Sequence, residues 1–126
     1  MKLRIKGNSL RLRVTQSDMA RLMQEGRIEE TVYFAPEEDA KLTYALEHTP
    51  SPAEISAHYC PQKITIALST EAATQWSETD QVGISGEADT GHGPLALLVE
   101  KDFACLDRVD ADDEDTFPHP LAGAVC

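Results

Sequence analysis

Gly7-Asn8-Ser9-Leu10-Arg11-Leu12-Arg13-Val14, running into Thr15-Gln16-Ser17-Asp18 and stopped at Gly26, is the stretch whose reading decides the fold. Gly7 and Asn8 both tolerate positive φ, so the pair reads as a tight turn. After it, Leu10, Leu12 and Val14 alternate with Arg11 and Arg13, the period of a half-buried strand. Before it, Leu3 and Ile5 alternate with Lys2, Arg4 and Lys6, so residues 2–15 read as a hairpin with a basic outer face. Thr15 and Asp18 form a capping box with the shorter acid, which opens a helix over Gln16 to Glu25 with Met19, Leu22 and Met23 on its apolar side. Gly26 is placed to end that helix as a left-handed cap. Two further strands follow, Ile28 to Phe34 with Ile28, Val32 and Phe34 on one face, and Leu42 to Leu46 beyond an acidic turn.

The same order then recurs. Ile55 to Tyr59, a Cys60-Pro61 turn, Lys63 to Leu68, a helix over Glu71 to Thr79, Gln81 to Gly86 and Leu95 to Phe103 repeat strand, strand, helix, strand, strand. An offset of 54 carries Leu10 onto Ile64, Val14 onto Leu68 and Leu22 onto Trp76, which makes Trp76 a core residue; the later strands match after a shift of one or two. The unbroken Leu95 to Val99 run reads as a strand buried on both faces. The expected fold is mainly β in the α+β class: a mostly antiparallel barrel from two tandem ββαββ repeats with two short helices. Residues 1–106 form one domain (repeat one 1–49, repeat two 53–106), and 107–126 form an acidic tail containing Pro118 and Pro120.

Charge and cysteine usage bound the function. At 126 residues the chain suits a single domain, and 41% hydrophobic content supports a folded core. The net charge of −11 disfavours general affinity for nucleic acid or anionic membrane. Residues 1–28 nevertheless hold seven basic side chains against two acids, whereas six acids fall between Asp107 and Asp115. A tail screening the basic hairpin is the expectation this asymmetry raises. Three widely spaced cysteines (Cys60, Cys105, Cys126) do not make a disulfide framework, and no apolar leader or 18-residue apolar run occurs. A cytoplasmic, reduced protein is the reading.

The Gly-Asn-Ser turn, alternating strand, short helix, Gly26 and hairpin together resemble the swapped-hairpin barrel of the AbrB and MazE type over about 45 residues. The second copy repeats the likeness more faintly. Such barrels are normally completed by two chains, and a tandem copy implies completion within one, hence a monomer. The resemblance also implies that Arg4, Lys6, Asn8, Arg11 and Arg13 stand where that type approaches DNA. The Ile-Pro pair of the type is replaced by Val14-Thr15-Gln16, and the turn Ala35 to Ala40 is longer. The whole chain is similar to a family of small bacterial proteins with a Gly-Asn-Ser-Leu-Arg-Leu-Arg start and an end like Val99-Glu100-Lys101-Asp102-Phe103-Ala104-Cys105, a family to which the resemblance attaches no established activity.

Arg4, Lys6, Asn8, Arg11 and Arg13 are the candidate site, for an anionic ligand or protein partner, because arginine forks suit phosphate and carboxylate. The competing reading is a solvated edge hairpin whose charges resist aggregation. His58, His92, His119 and the cysteines show no zinc spacing, with Cys105 near His119 only if the tail folds back. Asp110, Asp112, Asp113, Glu114 and Asp115 miss the EF-hand pattern, since Asp115 and Leu121 stand at its glycine and glutamate positions. Glu100 and Asp102 share a face opposite Lys101 and read as a surface ion-pair cluster. No metal or cofactor is expected. A non-enzymatic binding or scaffold module is the leading reading. The alternatives are an AbrB-like DNA-binding regulator and a small metal- or thiol-dependent enzyme.

Overall fold

Thr15 accepts a hydrogen bond from the Asp18 backbone N–H at 3.2 Å, and the Asp18 carboxylate accepts one from the Thr15 N–H at 3.0 Å, so the capping box forms as the sequence specifies. The resulting helix α1 (Gln16–Glu25) stops at Gly26, whose φ of 83° lets its N–H reach the Leu22 carbonyl at 2.8 Å. These contacts belong to a computed structural model that describes residues 1–103 and Phe117. Its elements are β1 (Lys2–Ile5), β2 (Ser9–Val14), α1, β3 (Arg27–Tyr33), β4 (Lys41–Thr49), β5 (Ile55–Cys60), β6 (Lys63–Ser69), α2 (Thr70–Glu78), β7 (Gly83–Asp89) and β8 (Pro94–Lys101). The ββαββ order therefore occurs twice, in a mainly β, α+β fold.

The strands form two four-stranded sheets, A in the order β1-β2-β8-β7 and B in the order β3-β4-β6-β5. Each sheet takes one hairpin from each half. The hairpins are antiparallel, and they join through parallel ladders, β2 on β8 and β4 on β6. Register repeats as well. Adding 54 turns the Lys2↔Arg13 pair of β1 and β2 into Ser56↔Ala67 of β5 and β6, and both are in register. The parallel pairs Ser9↔Ala96 and Thr43↔Lys63 then align β4 with β8 at an offset of 53, and Arg27↔Glu47 with Gly83↔Glu100 aligns β3 with β7 at 56. No ladder closes the two sheets into one continuous barrel among the described residues.

Alternation decides which side is core. Leu10, Leu12 and Val14 of β2, Leu46 of β4, Ile66 and Leu68 of β6, and Leu97 and Val99 of β8 pack between the sheets with Leu22 and Trp76 from the two helices. Trp76 is fully buried and donates its indole N–H to the Val82 carbonyl at 3.1 Å. The equivalence of Leu22 and Trp76 thus holds as a shared core role. One expectation fails: β8 is buried on one face only, with Leu97 and Val99 inward, Leu98 half-buried and Ala96 exposed outward. An apolar run in a central strand can reflect a pale outer face as easily as a second buried one. Ile28 is buried, but Val32 and Phe34, at the far end of β3, are exposed.

Because β2 and β8 run parallel, as do β4 and β6, both hairpin turns of each sheet lie at one end. A cavity of about 300 Å³ lined by Leu10, Tyr59, Ile64, Ala88 and Leu95 brings the turn ends of the two sheets together. The acidic run, its proposed screening of the hairpin, and Cys105, His119 and Cys126 lie outside the described residues.

Candidate binding face on sheet A

With Leu10, Leu12 and Val14 pointing inward, Arg11 and Arg13 must point out. Arg4 lies directly opposite Arg11, and Lys2 opposite Arg13, so all four share the outer face of sheet A. Lys6 continues the row beside the turn and donates its N–H to the Ser9 carbonyl at 3.2 Å. Among the described residues Arg4 and Lys6 make no ion pair, and both are exposed.

Arg11 and Arg13 are held differently. Glu100 stands opposite Arg13 in the parallel ladder. One oxygen, Oε1, accepts from Arg11 Nε at 2.6 Å and from Arg13 Nε at 2.9 Å, and also contacts the Arg11 guanidinium terminus. The carboxylate lies across both forks and fixes their orientation. Asn8 is also engaged: its amide donates to the Pro94 carbonyl at 2.7 Å, clasping the β1–β2 turn to the start of β8. The candidate residues therefore divide into two exposed cations, two oriented arginines and one amide that ties hairpin to hairpin. Beside them the twisted sheet leaves a concavity of about 430 Å³, with Ser9 and Arg11 on one wall, Ser85 and Glu87 on the other, and Ala96 and Leu98 as its floor.

The strand exit Glu100-Lys101-Asp102 differs from the expected surface cluster. Parity holds, but Lys101 and Asp102 are buried. Lys101 Nζ donates to the Thr79 carbonyl at 2.7 Å, where it caps the end of α2, and lies 5.2 Å from the centre of the Phe117 ring. Burial lowers the Lys101 pKa against the opposing pull of Asp80. Phe117 donates its backbone N–H to the Asp102 carbonyl at 2.8 Å and meets Phe103 edge to face. Lys2 reaches Asp102 at 3.4 Å from the outer side.

Beneath β1 lies a second charged group. The Met1 ammonium sits 2.8 Å from Asp18 and 3.3 Å from Glu30. Burial alone would lower the pKa of that ammonium, but Asp18 and Glu30 outweigh it and the net shift is upward. Burial would raise Asp18, yet the ammonium and the Thr15 N–H hold its carboxyl below the ordinary value. His48, which the sequence patterns do not single out, occupies the place in β4 that Lys101 holds in β8. Its Nδ1 lies 3.1 Å from Thr70 Oγ1, and its buried Nε2 has no hydrogen-bond partner among the described residues. His58 and Cys60 are both exposed on β5, and no group of three or more metal-ligating side chains occurs among the described residues. No helix among them is long and apolar enough to cross a membrane.

The pattern that defines DUF7009, a family of unknown function, matches residues 1–121. The chain belongs to that family. The matched span takes in both ββαββ halves and therefore the basic face and its Glu100 clamp. No curated protein and no solved structure matches the chain.

Proposed function

We propose that this DUF7009 member is a non-enzymatic binding or scaffold module that offers the outer face of sheet A to an anionic partner. The observation that carries the reading is the placement of Lys2, Arg4, Arg11 and Arg13 on one solvent-facing sheet surface of a chain with net charge −11. Glu100 pre-orients two of the forks, which lowers the entropy lost when they meet a carboxylate or phosphate. Net charge favours an acidic protein surface over nucleic acid, because a folded protein carries far fewer charges per unit length than a duplex. The doubled ββαββ order and its matching register support an origin by internal duplication, and the exchange of hairpins between halves supports kinship with the swapped-hairpin barrels. Both also support a monomer, with each sheet completed within one chain.

The test is retention on a heparin column at low salt. The double variant Arg4→Glu, Lys6→Glu touches no ion pair among the described residues and should elute at clearly lower salt than the parent. Equal elution would remove the face as the binding surface.

A further inference from the structure

The fold has two seams where an edge of sheet A faces an edge of sheet B, one closed and one open. β5 and β7 lie edge to edge. Gly86 permits that approach: a Cβ there would stand 2.6 Å from Ile55 Cγ2. At the equivalent seam between β1 and β3, Met1 occupies the place of Ile55, Glu30 that of Gly86 and Val32 that of Ala88. Larger side chains, one of them charged, stand where the closed seam has glycine and alanine. β1 and β3 do not lie edge to edge as β5 and β7 do, and the Met1 ammonium spans the gap to Glu30 at its base. Above that bridge Ile5 is 58% exposed, Val32 42% and Phe34 69%.

The free edge of β1 has a definite chemistry. Lys6 bonds Ser9 across the turn, so by antiparallel alternation the backbone groups of Lys2, Arg4 and Lys6 face β2. Those of Leu3 and Ile5 face the seam and have no backbone partner among the described residues.

We propose that the β1–β3 seam is a docking site for an extended segment of a protein partner with acidic and apolar residues in alternation, added as a strand to the free edge of β1. The proposal rests on the reading of sheet A as an anion-binding face and specifies how the partner sits there. An added strand would place alternate side chains beside Lys2, Arg4 and Lys6, which calls for carboxylates. The intervening side chains would face Leu3 and Ile5 and, across the seam, Val32 and Phe34, which calls for apolar residues. Charge selects this edge over the others. β3 carries Glu29 and Glu30, β7 carries Glu87 and Asp89, and β5 is covered by β7. Basic residues that only protected an edge from aggregation would not need exposed apolar side chains along the same seam. The equivalent strand β5 holds Ser56, His58 and Cys60 at the places of Lys2, Arg4 and Lys6, so the fold itself does not demand cations there.

The probe is an acetylated, amidated octapeptide of alternating glutamate and valine, added to the full-length protein. Binding should slow amide exchange of Leu3 and Ile5 at least tenfold at saturation. The same peptide N-methylated on the residues that face β1 should lose at least tenfold in affinity, and so should the Ile5→Asp variant with the unmodified peptide. If both peptides bind equally without protecting Leu3 and Ile5, strand addition is overturned while the basic face stands. If the peptide fails and heparin retention is also insensitive to Arg4→Glu, Lys6→Glu, both readings fall. Protection of those amides without peptide would place another occupant in the seam and overturn the proposal: a second copy where protection rises with protein concentration, a segment of this chain where it does not.

Discussion

Replacing Glu100 with glutamine keeps its shape and removes the charge that Arg11 and Arg13 share. Arg11 Nε and Arg13 Nε lie 2.6 and 2.9 Å from the same Glu100 oxygen, so these charged nitrogens are left at most about 5.5 Å apart. Two unit charges at that distance repel by about 0.8 kcal/mol in water and about 3 kcal/mol at an effective dielectric constant of 20. The forks are about one-third exposed, which places the repulsion toward the lower figure. Two ion-pair hydrogen bonds also become bonds charged on the arginine side alone, so the loss of stability should total about 1–3 kcal/mol. In a domain of this size that is a fall in Tm of about 3–10 °C. Thermal unfolding followed by circular dichroism should show the fall at low salt and a partial recovery at about 0.5 M salt, where the Debye length is about 4 Å. The face also loses one negative charge while glutamine still holds both forks, so the variant should need more salt to elute from heparin. A Glu100→Gln protein with parental Tm and parental elution would show that the carboxylate does not organise this face.

Other parts of the structure give equally direct tests. Asp18 has its pKa lowered in the folded state, so its contribution is present above about pH 4 and lost as pH falls through the folded value. The Met1 ammonium is raised, so its contribution is complete below about pH 8 and lost as pH rises through its folded value. Urea unfolding should therefore be flattest between those limits, and Asp18→Asn should weaken both limbs; an unchanged pH profile would argue against the pair. Gly86→Ala should cost about 1–3 kcal/mol by forcing its Cβ against Ile55, and Ile55→Ala in the same chain should recover part of that cost in a double-mutant cycle. A fragment ending at Thr49 lacks the partners of β2 and β4, so it should dimerise or stay unfolded, and a folded monomer seen by light scattering would contradict the shared-sheet architecture.

Local chemistry was legible in the residues. Thr15, Asp18 and Gly26 mark α1 by caps that depend on neighbours three or four positions away, and the Leu10-Arg11-Leu12-Arg13 alternation marks β2 with its buried face. What lies across the sheet was not. The β2–β8 ladder joins residues 87 apart, Ser9 to Ala96, and no local pattern specifies a parallel partner at that distance. For the same reason Glu100 reads as one of three surface charges until the fold sets it between Arg11 and Arg13. Lys101 is a polar letter in the sequence and a buried helix cap in the structure, because its position depends on where α2 ends. The open seam is a difference between Glu30 and Gly86, visible only once β3 and β7 are aligned at an offset of 56.

The proposed meeting of this protein with its partner on the outer face of sheet A can be followed by the amide chemical shifts of the full chain during titration with polyglutamate at low salt. The largest changes should fall at Arg4, Arg11, Arg13, Ala96 and Leu98 and collapse together as salt is added. Changes centred on sheet B or on the helices, or none while the protein stays folded, would contradict it.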